Sequence, residues 1–333
     1  MADLVVGPSI KGLVKLADTI TRAVGKLYEP IHIRRMADAE GYKKLALGRA
    51  DAQAKLEKQA ILAMDPMSSA VAENVPLLQR AAERVTYQQA RGQENLEAIL
   101  DSAANQFSEE DIVTAKSVDE TWANRFFSAA TEVAHHEMQA VWGKLLSGEI
   151  REPGTFSLRA LDVLRNLTTQ EAINFQKMCS ASLRDNCIYK VSNAMEGFEA
   201  LGISLEEFLA LRAAGLFSEA DNLSIKTHAP FYSKYGDWHV IADLKDGETA
   251  VLPLLVAMPS YVMTAVGAEL AILVERQPNW QYLQLLAPIF SARRLQLKVA
   301  FGVTILDNFV SYESVVEVPF LHDAPGWRPQ FNL

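Results

Sequence analysis

The fold turns on the stretch Ser204-Leu205-Glu206-Glu207-Phe208-Leu209-Ala210-Leu211-Arg212-Ala213-Ala214-Gly215. A serine with glutamate three residues on is the reciprocal capping arrangement that opens a helix, and Gly215 suits its close. Beyond Gly215 the apolar period shortens. Residues 223–226, 238–244 and 249–256 are β-type runs, and Lys245-Asp246-Gly247-Glu248 reads as a tight turn joining the last two into a hairpin. Helix returns at 264–270 and 280–291, and residues 296–318 add strands. Helix, helix, short strand, hairpin, helix is the order of a winged-helix unit, so residues 201–320 are expected to form a winged-helix-like α+β module, with 321–333 as a tail.

Upstream, residues 118–200 read as a central helical module. Asp119 is placed to cap a helix carrying Trp122, Phe126 and Phe127, and Met138, Val141, Trp142, Leu145 and Leu146 give the next helix its apolar face. A turn from Gly148 through Pro153 to Gly154 ends that pair. Two further helices follow over 157–165 and 168–180, with Ser157 and Thr169 as caps. Residues 65–117 form a helical connector whose block at 75–107 carries Leu77, Leu78, Val85, Leu96, Ile99 and Leu100, and whose polar end, 108–119, reads as a solvated linker.

Residues 1–64 hold two helices. In the first, Ile10, Leu13, Val14, Ala17, Ile20, Val24, Leu27 and Tyr28 make an apolar stripe, with Lys11, Lys15, Asp18, Arg22 and Lys26 mainly off it. Such a basic amphipathic helix packs into a bundle or dimer seam, or lies on an anionic lipid surface. Its contact set is Lys11, Leu13, Lys15, Ile20, Arg22, Val24, Lys26 and Leu27. The second helix, over 32–64, has a seam too thin to stabilise it alone, so it needs a partner such as another copy. The fold class is therefore mainly α with a C-terminal α+β part.

Several function classes are disfavoured. The formal net charge is -9, against the basic footprint that phosphate binding requires. The first 60 residues alone are basic, which directs any anionic partner there. Two cysteines, Cys179 and Cys187, read as buried thiols in a helical context; they fit no disulfide framework or zinc spacing and suggest a reducing, cytoplasmic setting. There is no uncharged run of signal-peptide or bilayer length. His135-His136-Glu137 lacks the second histidine that a zinc helix needs and reads as surface or cap. No nucleophile elbow or phosphate-cradling loop is present. No catalytic residue, cofactor or metal is expected.

The run Asp119, Trp122, Phe126, Phe127, Glu137-Met138-Gln139, Trp142 to Glu149, Pro153-Gly154-Thr155-Phe156-Ser157-Leu158-Arg159 and 161–167 resembles a bacterial family catalogued as domain of unknown function 2806. Arg91-Gly92-Gln93-Glu94-Asn95 and the segment from Met263 to Leu270 also fit its pattern, with Met263 where that pattern has leucine. The resemblance covers about residues 70–275. It implies no activity, and its motif residues Trp122, Phe126, Trp142, Gly148, Pro153, Gly154 and Arg159 are of packing and turn-forming types. By analogy with accessory bacterial genes, it suggests phage defence.

The expectation is a non-enzymatic interaction protein that binds a protein partner, self-associates, or touches the inner membrane through its first helix. The alternatives are a winged-helix DNA-binding regulator that reads through the helix at Ser204, although Glu206 and Glu207 would repel phosphate there, and an enzyme whose site only the tertiary fold assembles.

Overall fold

The computed structural model describes residues 14–19, 69–108, 111–183, 186–245, 254–301, 304–306, 309–311 and 313–318. The chain divides into two compact units, residues 1–158 and 159–333.

The first unit is built on a long helix, α1 (Ser69–Ala104), packed against α2 (Glu120–Ala130) and α3 (His136–Arg151). The buried stripe of α1 is Gly92, Asn95, Leu96, Ile99, Leu100 and Ala103, the three and four residue steps of one helix face. Gly143 lets α3 approach closely: an added Cβ would lie 2.6 Å from Ser102 Cβ and 2.9 Å from the Ala103 nitrogen. Asp119 caps α2 as expected, accepting from the Trp122 amide. Trp122 stacks on Phe126 at 5.2 Å, and Phe126 meets Trp142 at 5.3 Å, so these three rings fill the centre.

Three expectations for this unit need correction. Leu77 and Val85 do not share the buried face of α1 but lie exposed, because the packing partners α2 and α3 cover the helix only from Gly92 onward. The polar linker is tied down: Asp111 accepts from Arg151 at 3.0 Å, and Lys116 Nζ donates to the Pro153 carbonyl at 2.9 Å. Glu109 and Glu110 lie outside the described residues. In the opening helix, Leu16 and Thr19 are buried while Val14 is 63% exposed, so the inward face is turned from the stripe that periodicity picked out.

In the second unit, α4 (Leu158–Asn166) and α5 (Thr169–Cys179) precede β1 (Cys187–Tyr189), α6 (Ala194–Leu201) and α7 (Leu205–Ala213). Thr168 caps α5, not Thr169, because Glu171 stands three residues past Thr168 and completes the reciprocal box. Cys187 opens a strand, not a helix. The strands β2 (Ser224–Ala229), β3 (Phe231–Tyr235), β4 (Trp238–Leu244) and β5 (Leu254–Val262) follow. They lead into α8 (Ala265–Ala271), α9 (Trp280–Ser291), β6 (Leu295–Phe301), β7 (Thr304–Leu306), β8 (Phe309–Ser311) and β9 (Ser314–Val318).

All described pairings are antiparallel. One sheet has the order β1-β5-β2, another β3-β4-β6-β9, and β7 pairs with β8. Among the described residues the expected hairpin between 238–244 and 249–256 is not formed: β4 pairs with β3 and β6, whereas β5 pairs with β1 and β2. Val240, Ile241 and Ala242 are all buried, as suits a strand with neighbours on both edges, and β5 likewise has a neighbour on each side. α9 packs beside β6, with Phe290 against Phe231 and Tyr189 and Trp280 against Tyr235. The protein thus combines helices with small antiparallel sheets.

Candidate functional site

The outward sides of α6 and α7 each carry exposed apolar and acidic side chains. Asn193 caps α6 and Gly202 ends it in the left-handed conformation, which glycine adopts without strain. Ser204 then caps α7 reciprocally with Glu207, as the sequence implied. Glu207 also accepts from Asn174 Nδ2 at 3.0 Å. Those bonds, the Ser204 amide first and then Asn174, hold its carboxyl below the ordinary glutamate range.

An aromatic cluster fixes the inner sides of both helices. Phe198 and Phe208 lie 5.1 Å apart, Phe208 meets Tyr261 at 4.8 Å, and Phe217 joins at 5.4 Å. With Phe208 and Leu211 turned inward, α7 turns outward Leu205, Glu206, Leu209 and Ala213. Leu205 is 43% exposed and Leu209 46%; on α6, Met195 is 59% exposed beside Glu196 and Glu199.

Two of the cations flanking this stretch gather at Asp221, and a third meets the α6–α7 turn. Arg212 forms an ion pair with Asp221 at 2.7 Å, and Lys190 Nζ donates to the Asp221 carbonyl while lying over the Tyr261 ring. Burial, aided by Arg212, lowers the Lys190 pKa, whereas Tyr261 is pushed up by burial and by Asp221. Lys177 Nζ donates to the Gly202 carbonyl at 2.7 Å. Chemically, the face can bury apolar surface and attract positive charge.

Of the opening helix, Lys15 donates to the Thr114 carbonyl at 2.9 Å. Lys11, Leu13, Ile20, Arg22, Val24, Lys26 and Leu27 lie outside the described residues. The motif residues fall at packing positions and a turn. Trp122, Phe126 and Trp142 form the aromatic centre of the first unit. Gly148 makes room for the Phe156 ring, Pro153 is buried, and Gly154 has a φ of 98°. Arg159 is exposed on α4.

The Gly154 and Phe156 amides both donate to Glu149, at 2.6 and 3.0 Å. That carboxylate is almost fully buried, and desolvation outweighs these bonds and raises its pKa. Nothing in a glutamate beside a turn announces that it folds inward.

His135, His136 and Glu137 are exposed, and among the described residues no group of His, Cys, Asp or Glu is arranged to hold a metal. Cys179 and Cys187 are buried and not joined in a disulfide; burial pushes the Cys179 thiol up to about 12, far from nucleophilic. No described helix is long and apolar enough to cross a membrane.

Nothing in the sequence singles out Leu209 or Asp221. A cation-free run from Val191 to Leu211 was the available signal.

Comparison with curated proteins and with solved structures gave no match in either. A family model does match, over residues 79–287, the span that holds the aromatic centre of the first unit and both helices of the acidic apolar face, and the chain belongs to that family, described as Protein of unknown function (DUF2806).

Proposed function

We propose that this is a non-enzymatic interaction protein whose second unit is a winged-helix-like module adapted to dock protein. The order α5, β1, α6, α7, β2, β5 and the sheet order β1-β5-β2 support that reading, with α7 in the position of a recognition helix and β3 and β4 inserted where the wing would lie.

The observation that carries the docking role is the outward face of α7. Leu205, Leu209 and Ala213 offer no hydrogen bond to a base edge, and Glu206 repels phosphate. Arg212, the one cation on α7, is held by Asp221. An electrophoretic shift with duplex DNA at about 100 mM salt tests this, because phosphate-driven binding persists there when a basic footprint exists. No shift is expected. A shift abolished by Arg212→Ala would restore the DNA-binding regulator.

In this proposal the opening segment is a packing element and not a lipid anchor, supported by buried Leu16 and Thr19 and by the Lys15 bond to Thr114. Self-association through residues 1–64 is part of the same proposal, and light scattering with and without those residues tests it. The setting in phage defence rests on family analogy, and phage plating that is unchanged by loss of the protein would remove it.

A further inference from the structure

We infer that the partner docked by α7 presents a basic amphipathic helix, an assignment that rests on the reading of α7 as a protein-docking helix. The apolar part of the argument is geometric. Leu205 and Leu209 are one turn apart on an exposed helix face, a ridge suited to the groove of a second helix.

Charge decides which helix. From Val191 to Leu211 the chain carries Glu196, Glu199, Glu206 and Glu207 and no lysine or arginine. Glu196, Glu199 and Glu206 are exposed. Of the bordering cations, Lys190 donates to the Asp221 backbone carbonyl and Arg212 pairs with the Asp221 carboxylate, while Lys177, on the Gly202 carbonyl, sets one cation against the four glutamates. Asp221 therefore acts as a specificity device: by pairing with Arg212 it keeps the stretch net acidic, favouring a basic partner and disfavouring phosphate or an acidic helix.

The test uses the full chain and two labelled peptides of about five helical turns, both apolar on one face, one lysine-rich and the other glutamate-rich on the opposite face. Fluorescence anisotropy should show the lysine peptide binding, with affinity falling as salt rises from about 50 to about 300 mM. Paired Leu205→Ser and Leu209→Ser substitutions should weaken it about tenfold, as loss of apolar anchors does. Glu199→Gln with Glu206→Gln should also weaken it. So should Asp221→Asn, at a side chain 78% exposed where folding is not at stake, by releasing Arg212 from its ion pair.

Equal binding of the glutamate peptide, or binding of the lysine peptide untouched by these substitutions, would overturn the inference. If neither peptide binds while a cross-linker at position 209 still captures a protein, the charge assignment fails and the docking reading stands. Capture of nucleic acid alone from that position would remove both.

Discussion

Gly143→Ala tests the helix crossing that builds the first unit. Helix propensity favours the change by about 1 kcal/mol, since alanine is the better helix former. Packing opposes it: the new methyl would lie 2.6 Å from Ser102 Cβ and 2.9 Å from the Ala103 nitrogen, both rigidly attached to the backbone of α1. Ordinary contact lies near 3.5–4.0 Å, so α1 and α3 must separate by about 1 Å, loosening the packing of Leu96, Ile99 and Leu100. Overpacking of this kind costs about 1–3 kcal/mol, and here the backbone contacts place it at the upper end. The net loss should be about 2 kcal/mol, or roughly 4–8 °C in the unfolding of a unit of this size. Thermal unfolding followed by circular dichroism measures it, with hydrogen exchange along α1 as the local readout. Ser102→Gly in the same chain should recover about 1 kcal/mol of coupling by removing the nearest side-chain carbon. If Gly143→Ala is neutral or stabilising, propensity wins and the close crossing is not what joins these helices.

Four further outcomes follow from the same coordinates. Glu149 has a raised pKa in the fold, so its contribution to stability is fully present below the unfolded value and is lost as pH rises through the folded one. Urea midpoints should therefore carry a component that rises on acidification from neutral pH toward the ordinary glutamate range. Glu149→Gln should remove that component and also destabilise, since an amide has one acceptor oxygen for the two amides of Gly154 and Phe156. Asp111 behaves oppositely: burial raises its pKa, but the Arg151 and Ser108 bonds together lower it further, so its stabilisation holds above the unfolded value and fades as pH falls through the folded one. Because both side chains are partly exposed, Asp111→Asn should cost no more than about 1 kcal/mol by denaturant titration. Leu205→Ser with Leu209→Ser should change the unfolding midpoint by the equivalent of about 0.5 kcal/mol or less, since both lie at the surface; a larger loss would mean that they are core residues. In flotation on anionic vesicles the chain should stay with the protein fraction, whereas flotation abolished by deleting residues 1–30 would restore the lipid reading.

Local chemistry was the legible part of this fold. Asp119, Ser204 with Glu207, and the bounds Trp280–Ser291 follow from short-range rules, because a cap and its amide lie within one turn. Strand partners were not legible. Trp238–Leu244 and Leu254–Val262 are near in sequence and both apolar, yet their hydrogen bonds run to strands elsewhere in the unit, and a periodicity of two says nothing about which edge meets which. The site divides in the same way. That α7 is a poor DNA reader was visible in Glu206 and Glu207, but the capture of Lys190 and Arg212 by Asp221 joins three separated segments and required the tertiary structure. Val14 and Leu16 show the limit of periodicity at a helix with apolar residues on more than one face: the pattern found a stripe and missed the side that packing chose.

The central claim is that the outward face of α7 meets a protein. A photo-crosslinking amino acid placed at Leu209 in the full chain, irradiated in living cells, measures this directly. A discrete protein adduct that disappears when Leu205→Arg is added is the expected result. An adduct composed of nucleic acid, or a protein adduct indifferent to Leu205→Arg, would contradict it.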